Sequence, residues 1–348
     1  MKRTRIAGIG MYVPKTIVPN NDLTTVMDTS DEWIQERTGI KERRYATRFE
    51  DTTTTMAVEA AKIAMQRAGV GTNDIDFIIF ATITPDYYFP GCGVLAQRAL
   101  GITEIGALDI RNQCSGFIYA LSVADQFIKT GMYKNILLMA SETHSYGLDF
   151  STRGRNVSVI FGDGAGAVVL QPTGEDRGIL STHLHSDGNE AEMLSMVSPG
   201  FHAGKFSSEK KPAVPEQPFG GLFITKELIE KDDIYPYMDG PAVFKKAIEK
   251  FPEVIIEALI ANGHQPSDIG LLIPHQANLR ISQMVQKKLK LRDDQVYNNI
   301  QKYGNTTAAS IPIALCEAWE NGRVKDNDLI CLAAFGSGFT WGSALLKW

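Results

Sequence analysis

The chain repeats itself, and the repeat constrains its fold more than any other feature. Ala68-Gly69-Val70-Gly71-Thr72-Asn73-Asp74-Ile75-Asp76 parallels Ala261-Asn262-Gly263-His264-Gln265-Pro266-Ser267-Asp268-Ile269-Gly270, and each joins a helix pattern to an apolar strand pattern. Phe161-Gly162-Asp163-Gly164 parallels Phe335-Gly336-Ser337-Gly338, and each leads into a strand. Asp76 and Gly270 lie 194 positions apart, Cys114 and Asn305 lie 191 apart. A near-constant offset points to a duplicated half. Two like halves of alternating helices and strands predict an α/β fold with two mainly parallel sheets and helices outside and between them. We place the halves at 1–172 and 173–348, with an insertion at about 199–237 in the second. The insertion carries Pro199, Pro212, Pro215, Pro218 and Pro236, a polar lysine-bearing run at 207–211 and one short helix pattern at 225–231. A surface loop is its simplest reading, and long ordered loops are often functional.

Composition narrows the function classes. With 348 residues, 44% apolar and 22% charged, the chain has ample material for a globular core. A net charge of −5 argues against a nucleic-acid binder. The four cysteines show no metal-ligand pairing and no disulfide framework, which fits a reducing cytosol and predicts a cytoplasmic protein. The basic start is followed by a short apolar run broken by glycines, which reads as a first strand and not a signal peptide. No apolar run approaches the roughly eighteen residues that span a bilayer.

Three polar residues stand at junctions between elements. Cys114 follows the strand pattern at 105–110 and precedes a helix pattern of Phe117, Leu121, Ala124, Phe127 and Ile128. There a thiol meets unpaired backbone N–H groups and the positive end of a helix dipole, both of which favour the thiolate. A thiolate is a strong nucleophile and acyl carrier. His275 ends an apolar strand run, and Asn305 opens another helix. Ligands of α/β proteins bind at such junctions, so the site is expected where the halves meet. Elsewhere 5–13, 76–83 and 136–141 read as strands, and 52–68 as a helix stopped by Gly69. Thr29-Ser30-Asp31-Glu32 reads as a helix start, hydroxyl caps followed by acids, with Trp33 and Arg37 on one helix face. The glycines from Gly162 to Gly166 indicate close backbone approach. A nucleotide loop is the rival reading, but the segment leads into a β-rich run rather than a helix.

Taken together, these motifs resemble the β-ketoacyl-acyl carrier protein synthase III family of the thiolase superfamily. The resemblance rests on 28–34 (Asp28 to Ile34), Arg37-Thr38-Gly39-Ile40, Phe161-Gly162-Asp163-Gly164-Ala165-Gly166, the surroundings of Cys114, His275 and Asn305, and 335–342 (Phe335 to Gly342). It covers nearly the whole chain. It implies a thiolase-like fold with a five-layered α-β-α-β-α core and a homodimer. It implies catalysis by Cys114, His275 and Asn305, with the oxyanion held by the N–H groups of Cys114 and Gly338. Thr29, Trp33, Arg37, Arg153, Phe244 and Asn278 would bind coenzyme A, Trp33 stacking on adenine with Arg153 on its other face. The family more usually has Asp before that Arg and Thr after the Gly, where this chain has Thr152 and Arg155. Pro241 replaces an Asn usually found beside Phe244. Phe89 and Gln113 would line the acyl pocket, Phe89 that of the partner subunit. Between 278 and 290, Arg280 and Lys287 would dock an acidic acyl carrier protein; on charge pattern alone the face could equally be a solvated one.

The implied reaction is acyl transfer from an acyl-coenzyme A starter to Cys114, then decarboxylative Claisen condensation with malonyl-acyl carrier protein. His275 and Asn305 would donate hydrogen bonds to the enolate, with no cofactor or metal beyond the thioester substrate. The pathway implied is initiation of fatty-acid synthesis. Gln113 stands where the family commonly has Ala, which with the insertion raises a second reading: a related ketosynthase of secondary metabolism that joins longer or β-keto acyl units towards resorcinols or pyrones. A Cys-His-Asn hydrolase is disfavoured by Trp33, Arg37 and Arg280, and a non-catalytic partner subunit by possession of all three reactive residues.

Overall fold

The computed structural model describes residues 3–200 and 224–348. Two sheets carry the fold. The first contains β1 (Arg3–Tyr12), β2 (Phe77–Ala81), β3 (Gly106–Ile110), β4 (Ile136–Glu142) and β5 (Gly164–Thr173), in the spatial order β1-β5-β4-β2-β3. The second contains β6 (Gly178–Ser186), β7 (Leu271–Pro274), β8 (Leu329–Gly336) and β9 (Thr340–Lys347), in the order β6-β9-β8-β7. Beyond β7 a single parallel bridge, Leu272 to Val296, stands where the first sheet has β3. The second sheet thus repeats the order of the first, its last strand reduced to one pairing.

The pairing corrects one expectation. β2 runs parallel to β3 and β4, and β7 to β8, but β5 is antiparallel to both β1 and β4, and β9 to both β6 and β8. The sheets are therefore mixed. β8 and β9 are joined by a tight turn, which brings the chain straight back, and a parallel return would need a crossover.

The longer helices among the described residues are α1 (Asp31–Thr38), which packs in a cluster of its own, and six that form the layers around the sheets: α2 (Thr53–Ala68), α3 (Cys92–Leu100), α4 (Gly116–Lys129), α5 (Gly240–Ala261), α6 (Leu279–Leu289) and α7 (Ser310–Glu320). α2 and α3 cover the outer face of the first sheet, where Met56, Ala60 and Ala64 meet Ile78, Phe80 and Val169. α5 and α6 cover the outer face of the second, where Phe251, Ile255 and Val285 meet Leu272, Cys331 and Leu345. α4 and α7 lie between the sheets, and Phe117, Leu121, Ile313 and Leu315 join Ile79, Leu138, Ile273 and Leu332 in one core. This is the five-layered α-β-α-β-α arrangement.

Local chemistry sets the boundaries. Ser30 caps α1 by accepting from the N–H of Trp33 at 3.1 Å, and Gly39 ends it at φ +77°. Thr52 caps α2 in a capping box, and Gly69 closes it at φ +67°. Gly8 and Gly10 let β1 lie against α2, since a Cβ on either would sit 2.2 Å from a carbonyl oxygen of that helix. Close approach also explains the glycine-rich stretch before β5: a Cβ on Gly162 would meet the carbonyl oxygen of Tyr303 at 2.2 Å. Residues 201–223, most of the insertion and including the polar run at 207–211, lie outside the described residues. On their far side a short helix, Lys226–Glu230, is capped by Thr225. Leu194–Ser195 pairs with Tyr237–Met238 and draws the flanks of the insertion together.

Candidate active site

Cys114 lies in a one-turn 3-10 helix, Gln113–Ser115, that opens into α4. Gln113 adopts φ +44°, a strained value for a side chain with a Cβ, and so turns the next residue out of the strand direction. The turn is tied to the second half of the chain. Ser115 Oγ donates to the carbonyl of Thr340 at 2.9 Å, and a Cβ on Gly336 would lie 2.5 Å from that of Cys114. Only glycine at 336 lets β8 approach the nucleophile this closely.

The thiol is buried, and this reverses the expected ionisation. Burial, with the Glu142 carboxylate adding repulsion, pushes Cys114 up to about 12, against the pull of the backbone N–H groups of Cys114 and Ser337. At rest Cys114 is a neutral thiol. The amides acting on Sγ are those of Cys114 and Ser337; Gly338, the expected second oxyanion donor, is not among them.

His275 directly follows β7, its N–H bonded to the carbonyl of Ala333 on β8 at 2.8 Å. Its Nδ1 meets Ser310 Oγ at 2.6 Å, while Nε2 is buried without a partner. Burial lowers the imidazole to about 3, so it is neutral at ordinary pH. Ser310 Oγ also receives the N–H of Gln276, at 3.4 Å. While receiving that contact the hydroxyl can donate to Nδ1, and the ring proton then sits on Nε2. A buried donor left unpaired costs about 1–3 kcal/mol, which argues that a ligand satisfies it.

Asn305 is buried in the loop before α7. Its Oδ1 accepts from the N–H of Thr307 at 2.8 Å, which turns Nδ2 the other way as a donor. Its backbone is pinned to the glycine-rich segment, N–H to Ile160 and carbonyl to Gly162. Thr307 stands at φ +49°, held by Nε2 of His144 at 2.6 Å. Asp163 accepts from the N–H groups of Ala46, His144 and Ser145 and from Ser145 Oγ, and fixes the segment behind this loop. A Cβ on Gly116 would touch Ala308, so the Cys114 turn and the Asn305 loop are neighbours.

A second cluster gathers around α1. The guanidinium of Arg37 lies 4.4 Å from the Trp33 ring centre, and that of Arg155 lies 5.1 Å from it. Arg153, expected on this indole, is instead engaged by Asp149 and Asp232. Thr29 Oγ1 is buried here without a partner. Asn278 donates to the carbonyl of Arg37 and caps α6 through the N–H of Arg280, so its amide joins the two helices. Arg280 extends over Phe244, 5.8 Å from the ring centre, and Lys287 is exposed on the same helix. Phe89 is 80% exposed. Two cavities, of about 280 and 430 Å³, share no residue with the reactive cluster.

Comparison with known proteins decides the family. The model described as 3-oxoacyl-[acyl-carrier-protein (ACP)] synthase III matches residues 108–188, and that of its C-terminal part matches 259–348. The β-ketoacyl-[acyl-carrier-protein] synthase III of Rhodospirillum centenum is 45% identical over 350 residues, covering 99% of each chain. This chain belongs to the β-ketoacyl-[acyl-carrier-protein] synthase III family. Its fold agrees with the crystal structure of the 3-oxoacyl-[acyl-carrier-protein] synthase III of Aquifex aeolicus, with a TM-score of 0.87 and 42% identity across 99% of this chain and 100% of that one. The priming β-ketosynthase of the R1128 polyketide biosynthetic pathway superposes at TM-score 0.85 with 30% identity, covering 99% and 96%. Membership makes the chain a condensing acyltransferase with the thiolase-like fold. No helix among the described residues is long and apolar enough to cross a membrane, and no cluster of three or more His, Cys, Asp and Glu residues among them could hold a metal.

Ser310, Ser337, His144 and Glu142 escaped the sequence reading. Glu142 alone left a signal: an acid that closes the otherwise apolar strand run at 136–141 is a buried charge in need of an explanation.

Proposed function

We propose that this protein catalyses the initiating condensation of fatty-acid synthesis, joining an acyl-coenzyme A starter to malonyl-acyl carrier protein through an acyl-Cys114 intermediate. The observations that carry it are a buried thiol on a turn that neighbours the Asn305 loop and a fixed, neutral imidazole whose Nε2 is buried without a partner. His275 is oriented by a hydroxyl and not by a carboxylate, which suits a donor to a developing enolate and does not suit a general base.

The sulfur of Cys114 attacks the starter carbonyl while the N–H groups of Cys114 and Ser337 hold the oxyanion. The tetrahedral species expels the coenzyme A thiolate, which takes up the proton that the thiol releases. In the second half-reaction the C–C bond to the malonyl carboxylate breaks and carbon dioxide leaves. The electron pair becomes an enolate that accepts from His275 Nε2 and Asn305 Nδ2. Each such donor is typically worth about 3 kcal/mol in the transition state. The enolate carbon attacks the acyl-Cys carbonyl, and the thiolate of Cys114 departs and is reprotonated.

Trp33, Arg37 and Arg155 form the coenzyme A adenine and phosphate subsite, with Thr29, Phe244 and Asn278 along the approach. An indole face between two guanidinium groups suits a purine and its phosphates. Arg280 and Lys287 receive the acidic carrier protein. No cofactor or metal is required beyond the thioester. The protein works as a homodimer in which Phe89, with exposed Tyr87 and Tyr88 beside it, completes the acyl pocket of the partner subunit. The secondary-metabolism reading rests on Gln113, on the insertion and on a relative at 30% identity, and the relatives near 45% weigh against it.

Intact-protein mass after incubation with a panel of acyl-coenzyme A esters tests this reading. An acetyl or short branched adduct is expected on the wild type and none on Cys114→Ala. Arg155→Ala should raise the ester concentration for half-labelling about tenfold, the scale of a lost charge-assisted contact, whereas Arg153→Ala should not. An adduct formed only from long or β-keto donors would favour secondary metabolism.

A further inference from the structure

His144 stands two residues beyond the end of β4, and the reaction described above gives it no part. Its imidazole is buried against Phe161, the ring centres 4.6 Å apart and the planes tilted by 35°. Its backbone N–H donates to Asp163 Oδ1 at 2.7 Å. Nε2 meets Thr307 Oγ1 at 2.6 Å, and among the described residues that hydroxyl has no other hydrogen-bond partner. Burial holds the ring far down, at about 3, so it is a neutral group with one donor and one acceptor nitrogen.

Asn305 is fixed at two points, and both lead back to His144. The first is its backbone. The N–H of Asn305 donates to the carbonyl of Ile160 at 2.9 Å, and its carbonyl accepts from the N–H of Gly162 at 3.0 Å. Phe161, between those two residues, is the ring on which His144 packs. The second is its amide, whose Oδ1 accepts from the N–H of Thr307 at 2.8 Å. That N–H lies in the peptide plane between Thr306 and Thr307. The φ of Thr307 sets how this plane is tilted relative to the turn and helix that follow. Here φ is +49°, where a β-branched residue is strained and returns to the ordinary region unless it is held. The hydroxyl bond to His144 holds it. We propose that His144 is a positioning residue for the condensing step: through Thr307 Oγ1 it fixes the peptide that orients the Asn305 amide, and so aims Nδ2 at the enolate without touching the reacting atoms. The inference rests on the reaction proposed above.

The test separates the half-reactions in the full-length enzyme. Acylation of Cys114 by an acyl-coenzyme A ester is timed by mass, condensation with malonyl-acyl carrier protein is timed from the acyl-enzyme, and hydrogen exchange is followed over 305–310. His144→Phe keeps a ring on Phe161 and removes the hydrogen bond. It should lower kcat for condensation about a hundredfold, the effect of a displacement near 1 Å at a reacting group, with KM for the malonyl thioester within about twofold and acylation within about threefold of wild type. His144→Gln gives up the ring and keeps a polar atom near the position of Nε2, and its condensation rate should recover to within about fivefold of wild type. Thr307→Val removes the same bond from the other side. Combined with His144→Phe it should cost no more than either change alone, since both remove one contact. A residue that only fills space gives the opposite order, with the phenylalanine variant near wild type and the glutamine variant impaired, and that order overturns the proposal. So do losses that multiply in the double variant, or acylation and condensation that fall together. Should His144→Phe not fold, Thr307→Val alone carries the same expectation, and an unchanged condensation rate in it overturns the proposal. If wild type acylates but never condenses, the proposed reaction fails on its own. Exchange over 305–310 then decides the role of His144, quickened in Thr307→Val if the contact holds the loop and unchanged if it does not.

Discussion

At the residue scale, the proposed reactive set is a neutral thiol with neutral donors. Position at element junctions made Cys114, His275 and Asn305 candidates in the sequence, and the structure places each at such a junction. Their ionisation was not legible, because burial depends on how the two halves close over the turn. A dipole argument at the N-terminus of α4 favours thiolate, and the desolvation of a wholly enclosed sulfur outweighs it. With the thiol held near 12, the thiolate fraction rises tenfold for each pH unit below that value. Alkylation of Cys114 by iodoacetamide, read by peptide mass from pH 6 to pH 9, should climb along that slope without levelling. A plateau near neutral pH would show a thiolate already formed. The contacts of Ser337 with Cys114 and of Arg155 with Trp33, beside the expected Gly338 and Arg153, belong to the same scale.

At the element scale, the ends of the second helix followed from local chemistry and matched the residues that signal them, Thr52 and Gly69. Strand direction did not follow, since an apolar run reads alike in parallel and antiparallel pairing. The layers depend on how closely strands approach helices. β1 lies on α2 across Gly8 and Gly10, and a methyl at Gly10 would press on the carbonyl oxygen of Ala60. Gly10→Ala should cost about 2 kcal/mol, as overpacking of a closed interface does. The check is a lower midpoint in urea unfolding at unchanged slope. An unchanged midpoint would mean that β1 and α2 separate freely, and the first sheet would then not be the rigid support that the Cys114 turn requires.

At the scale of the whole molecule, the repeat seen in the sequence is the repeat of sheet order, and it explains why the site is split. The first half supplies Cys114, the second supplies His275, Asn305 and Ser337, and cross-half contacts such as Ser115 to Thr340 keep them together. What the repeat could not reveal was how far the last strand of the second sheet had shrunk, to one pairing at Val296. The exposed aromatic run of Tyr87, Tyr88 and Phe89 belongs to this scale also. Sedimentation should find a dimer, and Phe89→Asp should weaken it while lowering acylation. A wild type that sediments as a monomer with full activity would leave the acyl pocket to one chain.

The account stands on the claim that His275 and Asn305 serve the enolate and not the nucleophile. The most direct measurement is carbon dioxide release from malonyl-acyl carrier protein by Cys114→Ala, alone and combined with His275→Ala. The first variant should still release carbon dioxide without forming a carbon–carbon bond, and the second should lose that release about a hundredfold. Release that vanishes with Cys114 alone, or persists without His275, would contradict the account.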